Sequence, residues 1–72
     1  MTEIDLHGYT YNDAKHYLEN ELILEYNNNN FPILIVTGNS TKMKSIVYDV
    51  GKELNFTVTT PLDSNIGALV VK

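Results

Sequence analysis

The stretch Phe31-Pro32-Ile33-Leu34-Ile35-Val36-Thr37-Gly38-Asn39-Ser40-Thr41-Lys42-Met43 decides how the chain folds. Ile33 to Val36 is an unbroken apolar run, the pattern of a strand inside a sheet. Thr37-Gly38-Asn39 reads as a turn, and Ser40 or Thr41 suits the cap of a helix. Met43, Ile46, Val47, Val50 and Leu54 then recur at helical spacing and make one apolar stripe. Gly51 lies within this helix and weakens it by about 1 kcal/mol relative to alanine. A buried strand passing through a glycine turn into an amphipathic helix sets an α/β class.

Working outward, Glu3 to Leu6 alternates polar and apolar residues, as a half-exposed strand does, and His7-Gly8 ends it. Thr10 is a good N-cap, and Asp13 three residues on imitates a capping box. The helix it opens runs to about Tyr26, with Ala14, Leu18 and Leu22 on one face and Tyr17 beside them, while Ile23 and Leu24 blur the pattern. Asn27 to Asn30 form a polar linker. Beyond the second helix, Phe56, Val58 and Thr60 alternate with Thr57 and Thr59, an edge-strand pattern. Pro61 to Gly67 is a turn region, and Ala68 to Val71 a final apolar strand.

The order is β-α-β-α-β-β, read as one domain over residues 1–72. Right-handed crossovers put both helices on one face of the sheet. Alternating strands suit the edges and apolar strands the centre. The expectation is a two-layer α/β sandwich, its mixed four-stranded sheet ordered 1-2-4-3 with the last strand antiparallel. That order brings His7-Gly8, Gly38-Asn39-Ser40 and Asn65-Ile66-Gly67 to one rim, the carboxyl edge where open α/β sheets hold ligands. It also leaves one face of the sheet bare. The central strands are apolar on both sides, so that face is a candidate surface for a second copy or a protein partner.

Composition narrows the function. Five lysines, no arginine and nine carboxylates give a net charge of -4, a poor balance for a sequence-specific DNA binder. Placement matters more than the sum: Glu19, Glu21 and Glu25 cluster in the first helix, whereas Lys42 and Lys44 follow the central glycine turn. The absence of cysteine excludes disulfides, thiolate nucleophiles and cysteine metal sites. No apolar run approaches the roughly 20 residues that span a bilayer. Met1-Thr2-Glu3 lacks the start of a secretory signal, so a cytoplasmic location without membrane association is expected.

Among residues able to do chemistry, His7 stands at a strand end before a glycine, two positions after Asp5. A carboxylate beside an imidazole fixes its tautomer and raises its pKa, which suits general acid/base work. The alternative is a histidine that braces the turn. Gly38-Asn39-Ser40 opens a helix whose free N–H groups favour an anion, with Lys42 and Lys44 nearby, and phosphate is the natural guest. The alternative is an ordinary capped turn. It is not a Walker loop, because the Gly-Lys-Ser/Thr core is absent. His16 reads as a surface histidine. No ligand spacing for a metal is present, so no cofactor is called for, and Mg²⁺ is left open without spacing to support it. Asn65 and Gly67 read as turn residues, Gly67 allowing close backbone approach. Tyr9 and Tyr11, beside His7, can stack on a base or pack a loop.

Ile4-Asp5-Leu6-His7-Gly8-Tyr9-Thr10, followed by Ala14 and Leu18, resembles the opening signature of Smr (small MutS-related) domains. Val36-Thr37-Gly38 looks like their Thr-Gly-x-Gly turn. Asn65-Ile66-Gly67 before an apolar strand is similar to their closing motif. The three occur in the right order and span nearly the whole chain. The resemblance implies a β-α-β-α-β-β two-layer fold like the C-terminal domain of bacterial initiation factor three. It also implies binding to DNA or RNA, with endonuclease activity in several members. Its functional positions fall on Asp5, His7, Gly8, Thr37 and Gly38. Two features depart from the pattern: Ser40 replaces the second glycine, and the basic residues of that loop reduce to Lys42 and Lys44. Small standalone phage-type members look similar in carrying Thr-Gly-x-Ser followed by Lys-Met-Lys. A non-catalytic interaction module using the bare sheet face is the competing expectation.

Overall fold

In the computed structural model, which describes residues 1–63 and 65–72, the chain runs β1 (Thr2–Asp5), α1 (Tyr11–Asn27), β2 (Ile33–Val36), α2 (Thr41–Glu53), β3 (Val58–Thr59) and β4 (Ala68–Val71). The sheet order is β1-β2-β4-β3, with β1 parallel to β2 and β4 antiparallel to both β2 and β3. The two wholly apolar strands take the centre, as expected, where each has a strand neighbour along both edges.

Register sorts the strands into two faces. Ile4 pairs with Ile35 and Ile35 with Leu69; Ile33 pairs with Val71, which pairs with Val58. Alternation aims these residues to one side. Ile4, Ile33, Ile35, Leu69 and Val71 share a buried cluster with Ala14, Leu18 and Leu22 of α1 and Met43, Val47 and Val50 of α2, and Val58 packs against it. Both helices therefore cover the same face. Leu18 is fully buried, and cutting such a side chain to alanine costs about 2–5 kcal/mol.

Two boundaries differ from the periodicity reading. β1 covers Thr2–Asp5 rather than Glu3 to Leu6, although the Leu6 N–H still donates to the Val36 carbonyl at 3.0 Å. β3 holds only Val58 and Thr59, extended by a pair of backbone bonds between Thr57 and Lys72 at 2.7 and 2.8 Å. Phe56 is not a strand residue. Its N–H donates to the Gly51 carbonyl at 2.7 Å and so terminates α2, and its ring packs 4.8 Å from Phe31 and 5.3 Å from Tyr26.

Each helix ends in the same way. Asn29 (φ 59°) and Asn55 (φ 63°) adopt the left-handed conformation, and their N–H groups return to the Tyr26 and Lys52 carbonyls. The Asn30 and Phe56 N–H groups reach back one residue further, to Glu25 and Gly51. This is the Schellman arrangement, with asparagine in the place glycine usually takes. The asparagine run is thus part linker and part helix terminator.

Gly51 has a reason that helix propensity does not reveal. A Cβ there would run into Cγ2 of Val58. The missing side chain lets β3 lie against α2.

On the opposite face, pairing and alternation put Glu3 and Asp5 of β1, Leu34 and Val36 of β2, Thr59 of β3 and Val70 of β4 away from the helices. Leu34, Val36 and Val70 are half-buried. A groove of about 550 Å³ runs over Leu34 and Val70 and is bordered by Met1, Pro32 and Leu62. Among the described residues no helix is long and apolar enough to cross a membrane.

Candidate functional site

Two parallel neighbouring strands deliver the chain to the same edge, and each turns there through a glycine. Gly8 (φ 86°) and Gly38 (φ 65°) hold conformations that L side chains adopt only at a cost of about 1–2 kcal/mol. A capped helix follows each. Thr10 Oγ1 accepts the Asp13 N–H at 3.1 Å, and Ser40 Oγ accepts the Met43 N–H at 3.0 Å.

The consequence is a pocket of about 450 Å³ onto which the N-termini of both helices open. His7, Gly8, Tyr9, Thr10, Tyr11 and Ser40 line it, over Leu6, Thr37 and Met43. Helix N-termini carry unpaired N–H groups and a partial positive charge, so two of them around one cavity favour an anion. They are not equal. α1 has Asp13 in its first turn, whereas α2 has no acidic residue there and carries Lys42. The α2 end is the more receptive.

The third loop braces the second. The Gly67 carbonyl accepts the N–H groups of Thr37 and Gly38, both at 2.9 Å, and the Thr37 hydroxyl at 3.3 Å. That hydroxyl also lies 2.9 Å from the Gly38 carbonyl. Thr37, Gly38 and Gly67 are thereby joined, but the Gly38 N–H is spent on structure. Among the described residues no protein acceptor reaches the N–H groups of Thr41 and Lys42, which leaves these two for an incoming oxygen. A Cβ on Gly67 would sit 3.6 Å from the Gly38 Cα, an ordinary contact. Its carbonyl matters more here than its lack of a side chain.

The remaining expected residues lie around this centre. Asp5 Oδ1 accepts the backbone N–H of His7 at 2.9 Å. Among the described residues no bond joins the Asp5 carboxylate to the imidazole, so Asp5 holds the turn and not the ring. Asn39 is exposed at the glycine turn. The Lys42 ammonium lies 4.6 Å from the centre of the Tyr11 ring, a cation–π contact at the pocket's edge. Lys44 donates to the Ile66 carbonyl. With Asn65 it lines a neighbouring cavity of about 330 Å³ rather than the pocket of His7. Asn65 Oδ1 accepts the Gly67 N–H at 2.9 Å and shapes the loop, while the Asn65 N–H donates to Asp63 Oδ1 at 3.1 Å. The expected turn Pro61 to Gly67 includes Ser64, which lies outside the described residues. His16 is exposed, with Nδ1 3.6 Å from Glu19 Oε1.

One contribution escaped the sequence reading: Thr10 and Tyr11 bring the α1 N-terminus into the pocket of Ser40. The signal was a capping residue close behind each of two parallel strands, which sends both helices away from one edge. Tyr9 stacks on Tyr17 with ring centres 4.8 Å apart and 14° between planes. Burial, the nearby Glu21 carboxylate and the Tyr9 phenol push the Tyr17 pKa up.

Comparison of the chain with protein-family models, with curated proteins and with solved structures finds no match.

Proposed function

We propose that this protein is an Smr-like nucleic-acid-binding domain that seats a backbone phosphate in the pocket between its two helix N-termini. The observation that carries this reading is the opening of both helices onto one cavity, with a lysine and no carboxylate in the first turn of α2. A cation in that turn opposes the helix dipole, at a typical cost of about 0.3–1 kcal/mol. A bound phosphate reverses that penalty. The Thr41 and Lys42 N–H groups and the Lys42 ammonium hold the phosphate. Ser40 sets their direction.

Among the described residues His7 is the only imidazole lining the pocket. Imidazole is the side chain suited to take up and release a proton near neutral pH. In an endonuclease it serves as the acid/base at the scissile phosphate; without cleavage it donates a hydrogen bond to the phosphate. The Asp5–His7 backbone bond fixes its turn.

The test is a binding panel at low salt with single-stranded, duplex and branched DNA and RNA, followed by cleavage assays with and without Mg²⁺. With one or two phosphates neutralised, log K falls against log salt with a slope of about -0.7 to -1.8. Lys42→Glu abolishes this salt-sensitive binding and His7→Ala abolishes cleavage. Failure of the wild type to bind any of these nucleic acids refutes the reading. Equal cleavage by wild type and His7→Ala rules out His7 as the acid/base and points to a contaminant.

A second reading rests on the open sheet face, where Leu34, Val36 and Val70 lie half-buried and Met1 and Leu62 are exposed. A non-catalytic interaction or oligomerisation module would use this groove. It predicts an oligomer or a bound protein, and no salt-sensitive binding to nucleic acid.

A further inference from the structure

We propose that Tyr9, backed by Tyr17, is a stacking platform for an unpaired base, so that the pocket selects single-stranded over duplex nucleic acid; this rests on the phosphate-binding reading above.

The argument begins with a tyrosine pair that ends in the open. Tyr17 packs against the core from α1 and is half-buried. Its ring covers one face of Tyr9 in a near-parallel stack. Tyr9 is 40% exposed and lines the pocket, whereas Tyr17 does not. The stack therefore runs from the core to the pocket wall, and a flat aromatic ligand would extend it by one layer. Tyr11, 43% exposed, lines the same pocket under the Lys42 ammonium. Charge and aromatic surface thus adjoin, which is how single-strand binders combine backbone and base contacts.

Size and charge agree with this. The pocket's volume of about 450 Å³ lies within the roughly 300–1,000 Å³ of small-ligand sites. The net charge of -4 and the single lysine at the pocket's edge leave little electrostatic attraction for phosphates. A base contact adds what the charge does not supply. Bases in a duplex are stacked on both faces, so only an unpaired base can lie on Tyr9.

The test compares an oligothymidylate with an abasic chain of the same phosphate count, by fluorescence anisotropy at low salt. The oligothymidylate is expected to bind at least about fivefold more tightly. Tyr9→Ala removes that difference. Tyr9→Phe retains it, as does Tyr48→Ala, which alters an exposed tyrosine outside the pocket. Equal, salt-sensitive binding of both chains by the wild type overturns the platform and leaves the phosphate site standing. Absence of binding to either chain overturns the platform, and the phosphate site falls with it when the duplex, branched and RNA substrates also fail to bind. The wild-type comparison stands even if Tyr9→Ala does not fold.

Discussion

Gly51→Ala sets two forces of opposite sign against each other. In an open helix this change stabilises by about 1 kcal/mol, because glycine loses more backbone freedom on folding. Here the new Cβ collides with Val58 Cγ2 and approaches the Phe56 carbonyl oxygen at 3.7 Å. Val58 cannot easily give way. It is β-branched and stiff at χ1, and its backbone is held in register opposite Val71. Overpacking of this kind costs about 1–3 kcal/mol. A mid-range cost of about 2 kcal/mol less the propensity gain leaves a net loss near 1 kcal/mol. For a chain of this size that lowers Tm by about 4–8 °C. Urea denaturation followed by circular dichroism, with thermal melts, measures it. Val58→Ala removes the colliding atom. In that background Gly51→Ala is expected to recover its ordinary gain, a coupling of about 2 kcal/mol in the double-mutant cycle. If Gly51→Ala alone raises stability by the full propensity gain, β3 does not lie against α2 as described.

Three further outcomes follow from the helix ends and the tyrosine stack. Ser40→Ala leaves the Met43 N–H without its partner and costs about 1 kcal/mol in urea titrations; an unchanged midpoint would mean that Ser40 is not the cap. Asn55→Gly relieves the left-handed strain of a side chain at φ 63° and raises stability by up to about 1 kcal/mol, to be read from the same titrations, where a loss would contradict the terminator geometry. Because its pKa is raised on folding, Tyr17 holds its proton more tightly in the folded chain. It therefore adds stability below the ordinary phenol value of about 10, lost as pH rises through the raised value. Tyr17→Phe should flatten the alkaline decline of stability, and an unchanged decline would assign it to other groups.

Sequence patterning alone specified the architecture. An apolar run of strand length, two capped amphipathic segments and the handedness of crossovers leave few topologies, and the 1-2-4-3 order is the one the structure adopts. Each of these signals is local or follows from a general rule of chain handedness. The meeting of His7, Gly8 and Ser40 at one edge was legible for the same reason, since parallel neighbouring strands must end together, whereas Asn65 and Ile66 of the third turn line a separate cavity.

What only the tertiary structure decided concerns where individual polar groups spend their hydrogen bonds and which atoms crowd each other. Spacing placed Asp5 and His7 on one side of a strand, but the carboxylate takes the nearer backbone N–H. Spacing gave Lys42 and Lys44 one role, but their side chains part, one to the Tyr11 ring and one to the Ile66 carbonyl. Phe56 kept the period of a strand and became a helix terminator, and Gly51 proved to be a clearance for Val58. Such choices depend on partners distant in the chain or on backbone geometry at a bend. A residue's neighbours in sequence carry no record of either.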